Sequence, residues 1–245
     1  MTQAVERAGA SAAKAVAIVQ SSYIPWKGFF DLVNLVDELV LYDDRQFTRR
    51  DWRNRNRIKT AQGTIWMTIP VRSKGKYESA IDEIETDGRE WRERHWRTLA
   101  HSYMHAAHFE EYADRFEELY LRRNEHLLSE VNRSFIEAVC DVLGIRTKLT
   151  SSREYAATGS KTERLVDLCR QAGATAYLSG PTARAYLDET LFDERGITVA
   201  YMDYEGYPVY PQLHGEFDHH VSILDLLFCT GRDARTYMKS FDEAR

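Results

Sequence analysis

An α/β protein, with a parallel sheet core and a helical insertion, is the fold this sequence predicts, and three observations predict it. Short apolar runs that end in turn residues recur at Ala15–Val19, 39–42, 176–178 and 197–202, the pattern of buried strands. Stretches of helical periodicity separate them, so strands and helices alternate. From about 89 to 144 the helical spacing continues without a strand signal, which marks a helical insertion or subdomain.

Ala15–Val19 reads as a buried first strand that ends at Gln20. Pro25 and Gly28 break the connection before a helical stretch at 29–36, and 39–42 reads as the second strand, with Asp43 and Asp44 at its C-terminal end. An arginine-rich loop follows, and 64–71 resembles a third strand closed by Pro70. Through the insertion, Trp96, Leu99 and Tyr103, then Phe116, Leu119 and Tyr120, then Leu127, Val131, Phe135, Val139 and Leu143 keep helical spacing, with Gly144 as the stop. A further helix covers 162–172 before Gly173. The compact strand 176–178 delivers Ser179-Gly180-Pro181 into a turn, from which a new helix through Tyr186 and Leu187 starts. A last strand covers 197–202, and Ser222 caps a helix over 223–228. This organisation is Rossmann-like. It comprises a flexible tail at 1–14, a first part of the core with the arginine-rich loop at 15–88, the insertion at 89–146, a second part of the core at 147–231, and a C-terminal tail at 232–245.

With 43% hydrophobic and 29% charged residues in 245, the composition is that of a soluble globular protein. A formal charge of -5 argues against a general polyanion binder, and no nucleic-acid-binding module is visible, although Phe47 and Trp52 interleave with basic residues. Cys140, Cys169 and Cys229 are odd in number, far apart and set in apolar surroundings, which excludes a disulfide framework or thiolate cluster and points to a reducing cytoplasm. No run is long enough to span a membrane.

The chemistry concentrates between 20 and 59. In an open parallel sheet, ligands settle at the carboxyl ends of the strands. There, Gln20 and Tyr23 supply polar groups, Pro25 and Gly28 shape a turn, and Gly28 admits close backbone approach to a phosphate unless Trp26 simply packs over it. Asp43 and Asp44 suit a hard cation such as Mg2+ beside a nucleotide or nucleotide-linked donor, or a base toward an acceptor hydroxyl; their alternative is to neutralise Arg45, Arg49 or Arg50. Arg45, Arg49, Arg50, Arg53, Arg55, Arg57 and Lys59 form the sharpest charge anomaly, and arginine's fork suits phosphate or carboxylate. Asn54 and Asn56 add neutral donors and acceptors.

Elsewhere, Ser179, Gly180 and Tyr186 form a strand–turn–helix candidate site that is no nucleophile elbow. Ser160-Lys161-Thr162 lacks the glycines of a P-loop and reads as a polar helix start. His219 or His220 suits acid–base work near neutral pH. His101, His105 and His108 share a helical face, with surface positions weighed against a metal site. Tyr210 and Gln212 suit a hydroxylated substrate, and Asp225 reads as a structural helix residue.

Several ordered motifs carry a resemblance. Gln20-Ser21-Ser22-Tyr23-Ile24-Pro25-Trp26-Lys27-Gly28-Phe29, the run from Tyr42-Asp43-Asp44 to Arg53-Asn54-Arg55-Asn56, Tyr177-Leu178-Ser179-Gly180 with Tyr186-Leu187, Tyr210-Pro211-Gln212, and Ser222-Ile223-Leu224-Asp225-Leu226-Leu227-Phe228 together resemble the WbqC-like protein family over about residues 15–231. The histidine series at 101, 105 and 108 departs from that family's pattern. The resemblance implies a place in O-antigen, surface-polysaccharide or specialised-metabolite assembly, and a transferase acting on an activated, anionic small molecule. Nucleotidyl transfer, ATP-dependent ligation and a noncatalytic metabolite-binding or scaffold role are the alternatives. The implied partners are a small-molecule substrate and other enzymes of the same pathway, with self-association left open.

Overall fold

The computed structural model describes residues 13–76 and 78–241. Residues 1–12 of the tail expected at the N-terminus, and 242–245 of that expected at the C-terminus, lie outside the described residues. In chain order the elements are β1 (Ala15–Val19), α1 (Lys27–Asn34), β2 (Glu38–Leu41), β3 (Arg55–Thr60), β4 (Gly63–Thr68), α2 (Glu90–Tyr103), α3 (Phe109–Leu121), α4 (Leu128–Leu143), β5 (Lys148–Ser151), α5 (Lys161–Gln171), β6 (Ala176–Ser179), α6 (Thr190–Asp193), β7 (Thr198–Tyr201) and α7 (Ile223–Thr230). The fold is mixed α/β and divides into two compact units. Among the described residues, one holds 13–19, Leu32–Tyr42 and Thr147–Asp203; the other holds Gln20–Asp31, 43–76, 78–146 and 204–241.

The first unit is built on a parallel sheet ordered β5-β2-β1-β6-β7. Its inner strands are mostly apolar because parallel strands bury both faces, and all four residues of β2 are buried, Glu38 among them. Val16, Ile18, Val40, Leu168 and Phe192 form the core, with the Tyr177 ring stacked on Phe192 at 5.0 Å. Strand β5 has no apolar run and gave no strand signal; it pairs at the edge with β2, where the Thr150 hydroxyl donates to buried Glu38 at 2.7 Å. Ser160 opens α5 in a capping box with Glu163. After β6, the helix expected through Tyr186 is instead a 3-10 turn over Pro181–Ala185 that ends before Tyr186. Pro181 fits a first turn but the segment holds too little apolar surface to propagate a helix, and Tyr186 is exposed.

The second unit holds the β3–β4 hairpin and the helices α2, α3, α4 and α7. The hairpin corrects one expectation and places another. Half of the arginine-rich segment is strand rather than loop, and the strand expected at 64–71 is β4, paired antiparallel with it. Alternation explains the first: Asn56 and Ile58 point inward between the arginines, which is the period of a half-buried ribbon. The Phe228 ring of α7 packs between Tyr103, Phe109 and Phe116 at 5.1 to 5.8 Å. Helix α4 stops at Gly144, which sits at φ 65°.

Candidate functional site

Past Val19 the chain enters the second unit as the segment 20–25, and the hairpin strand β3 with its lead-in holds it there. The Tyr23 N–H donates to the Trp52 carbonyl at 3.0 Å. Arg53 Nη1 donates to the carbonyls of Gln20 (2.8 Å) and Ser21 (3.1 Å) and to the Ser22 hydroxyl (3.0 Å). Asn56 Nδ2 donates to the carbonyls of Tyr23 (3.1 Å) and Ile24 (2.8 Å). Between those clamps Ile24 is forced to φ 38°, a conformation that a β-branched residue adopts only where its surroundings over-determine it. Thus Gln20, Tyr23, Pro25, Arg53 and Asn56, separated by some thirty positions in sequence, form one strained polar loop.

Asp43 completes the cluster. It is buried and accepts the Ser21 N–H at 2.8 Å. Burial raises its pKa above the usual carboxylate range, while the Ser21 hydrogen bonds and the Arg53 guanidinium pull it back. Asn132 of α4 reaches in, with Nδ2 donating to Ser21 Oγ (3.0 Å) and to the Arg53 carbonyl (2.9 Å). Two buried amide oxygens here, Asn54 Oδ1 and Asn132 Oδ1, lack a hydrogen-bond partner among the described residues, and Arg53 Nε has Asp51 Oδ2 at 3.7 Å in place of a hydrogen bond. Buried polar atoms are nearly always paired with protein or with ordered water, which makes this loop a candidate site. Chemically it offers a carboxylate of raised basicity, a guanidinium and amide oxygens within one loop.

A second network lies along 204–225. Buried Asp225 accepts the hydroxyls of Tyr103 (2.7 Å) and Tyr210 (2.8 Å). Gln212 Nε2 donates to Tyr210 Oη at 3.0 Å, and Lys59 Nζ donates to Gln212 Oε1 at 2.9 Å and to the Glu216 carbonyl. Burial raises the Asp225 pKa against these hydrogen bonds. Lys27 Nζ sits over the rings of Tyr207 (4.8 Å) and Tyr210 (5.1 Å) and donates to the carbonyls of Pro208 and Tyr237. Burial lowers its pKa to about 8. His219 has a buried Nδ1 without a partner among the described residues, and burial, then Lys27 and His220, lower its pKa.

The remaining expected residues are dispersed. Asp44 turns to Arg45 at 3.0 Å, so the paired carboxylates face different partners. Arg49 is taken up by Ser73, through its hydroxyl (3.1 Å) and carbonyl (2.9 Å). The Trp26 indole fills the space that a Cβ on Gly28 would need. Ser179, Gly180 and Tyr186 belong to the other unit, where the Tyr177 hydroxyl donates to Ser179 Oγ at 3.3 Å. His108 contacts Glu111 at 3.2 Å, His101 and His105 are exposed, and among the described residues no three of His, Cys, Asp and Glu group around a metal position. Cavities of about 520 and 380 Å³ lie by Gly75–Glu83 residues and by Arg92 and Tyr120, apart from the Asp43 cluster.

Sequence reasoning gave no site role to Ser21, Lys27 or Asn132, and named Lys59 only as part of the basic cluster. Asn132 had a signal: it stands in the apolar row Leu128, Asn132, Phe135, Ile136 of α4, where a polar side chain must find partners inside.

Among the described residues no helix is long and apolar enough to cross a membrane. No solved structure matches the chain. The uncharacterized protein Rv1507c of Mycobacterium tuberculosis is 53% identical over 226 residues, which is 92% of this chain and 98% of that protein. The profile of the WbqC-like protein family matches residues 20–237, from the Asp43 cluster through the Asp225 network. On both findings, the chain belongs to the WbqC-like protein family.

Proposed function

We propose that this protein is a transferase acting on an activated, anionic small molecule, with 20–25, Asp43 and Arg53–Asn56 residues as its site. One observation carries the reading. A strained loop, clamped by Arg53 and Asn56, surrounds a buried carboxylate and leaves the buried amide oxygens of Asn54 and Asn132 without hydrogen-bond partners among the described residues. Strain and unpaired polar groups are kept where a ligand uses them. Asp43, made more basic by burial, takes the proton of the acceptor as that acceptor attacks the donor. The guanidinium of Arg53 stabilises the charge that moves onto the leaving group. Membership in the family and the resemblance to glycan and specialised-metabolite clusters support a biosynthetic setting.

Thermal melting of the purified protein against ATP, nucleotide-linked sugars and acyl-CoA donors, each with and without Mg2+, tests it. A shift confined to one donor class, lost in Asp43→Asn and Arg53→Lys variants that still fold, is the expected result. Release of pyrophosphate with the responsive donor would turn the reading to nucleotidyl transfer or ligation. Saturable binding without turnover across a panel of acceptors would turn it to a noncatalytic metabolite-binding role.

A further inference from the structure

The hairpin and the segment leading into it leave two indole rings uncovered, one on each. Trp52 is 43% exposed and Trp66 45% exposed, and their rings lie 5.4 Å apart. Trp66 stands directly across the antiparallel register from Arg57, and the guanidinium of Arg55 sits 4.1 Å from its ring centroid. Arg57 is committed to Asp218 at 3.6 Å and to the His220 carbonyl at 3.0 Å. Arg55 is not: its Nε is buried without an acceptor, and no carboxylate pairs with it among the described residues. The result is a pair of indoles with an unanswered positive charge laid against one of them.

That charge selects the occupant. A second copy of the chain on this face would set Arg55, which no carboxylate answers, near its own counterpart, so self-association is disfavoured there. An anion with a flat, polarizable ring answers both features, because indole faces stack on bases while guanidinium groups fork onto phosphate. Trp52 also adjoins the site described above: its carbonyl accepts the Tyr23 N–H, and the next residue is Arg53. We propose that Trp52, Trp66 and Arg55 form a seat for the base and a phosphate of a nucleoside diphosphate moiety, which makes the donor nucleotide-linked. Binding at this seat stands on the hairpin alone; its use in group transfer rests on the function proposed above.

Quenching of tryptophan fluorescence in the full chain is the test, with UDP and ADP as ligands and pyrophosphate, uridine and a ten-nucleotide oligouridylate as comparisons. The expected result is saturable quenching by the nucleoside diphosphates, with pyrophosphate and uridine each at least about tenfold weaker. Trp66→Ala and Arg55→Gln should each raise Kd by about tenfold, the weight of one base–aromatic stack, with thermal melts unchanged. Trp66→Phe, which keeps a stacking face, should restore most of the affinity and so separates stacking from folding. Equal binding of pyrophosphate and UDP would overturn the seat. So would oligouridylate binding that exceeds UDP and falls steeply with salt, which describes a nucleic-acid surface. Dimerisation abolished by Trp66→Ser, or no binding by any ligand, would overturn it too. Asp43→Asn separates the two readings. Quenching retained in Asp43→Asn with turnover lost supports both, whereas a donor-induced melting shift lost in Asp43→Asn but intact in Trp66→Ala sinks the seat and leaves the Asp43 site standing.

Discussion

We predict that mild acid destabilises this protein through His95. The imidazole is buried on α2, its Nδ1 lies 2.9 Å from the Tyr23 hydroxyl, and the Tyr120 hydroxyl lies 2.5 Å beyond. Burial first, then the charge of Arg94, lowers its pKa from 6.5 to about 4, against a backbone hydrogen bond at Thr68. The folded ring is therefore neutral at pH 7, while the same ring in the unfolded chain takes a proton below about 6.5. Between the two values the unfolded state binds more protons, so this contribution to stability is complete above 6.5 and is lost as the pH falls toward 4. At 1.36 kcal/mol per tenfold in proton affinity, the loss is about 2 kcal/mol at pH 5 and about 3 kcal/mol below pH 4. Urea unfolding at pH 7.5 and pH 5, on wild type and His95→Gln, measures it. Glutamine does not titrate, and the carboxylates common to both proteins cancel in the difference. Wild type should lose about 2 kcal/mol more than the variant between the two pH values. Equal losses would refute the argument that burial keeps this ring neutral.

Three further outcomes are expected. Gly144→Ala should cost about 1 to 2 kcal/mol in urea unfolding, because a side chain at φ 65° is strained and its Cβ would meet Arg235 Nη2 at 2.5 Å. Ser222→Ala should cost about 1 kcal/mol, since Ser222 Oγ accepts the Leu224 N–H at the start of α7; a cost below about 0.3 kcal/mol would show the cap to be idle. Cys140, Cys169 and Cys229 are buried with pKa values pushed up to about 12, so all three should resist a thiol-disulfide reagent at pH 8 until the protein is unfolded, and a rapid native reaction of any one would contradict its burial.

The parallel sheet was legible because its inner strands must be apolar on both faces, which Ala15–Val19 and Ala176–Ser179 announce without neighbours. β5 was not, since Lys148, Thr150 and Ser151 are held by pairing and by a hydroxyl on Glu38 rather than by burial of an apolar run. Arg55 to Lys59 hid a strand for a related reason: the charge anomaly masked an alternation of inward Asn56 and Ile58. At the candidate site, turn residues and carboxylates drew attention to segments that the structure brings together around Asp43. The partners did not follow from spacing, because Asn132 meets Ser21 across 111 positions. Residue type also misled at Gly28, where a neighbouring indole accounts for the missing side chain.

The chain passes from one compact unit to the other five times, after residues 19, 31, 42, 146 and 203. Neither unit is therefore written in the gene as a continuous stretch. No truncation can yield one of them intact, and no single protease cut can release one, because each unit is assembled from three separate stretches of the chain. Each unit closes only when stretches far apart in sequence have come together, so neither can be complete before most of the chain has been made.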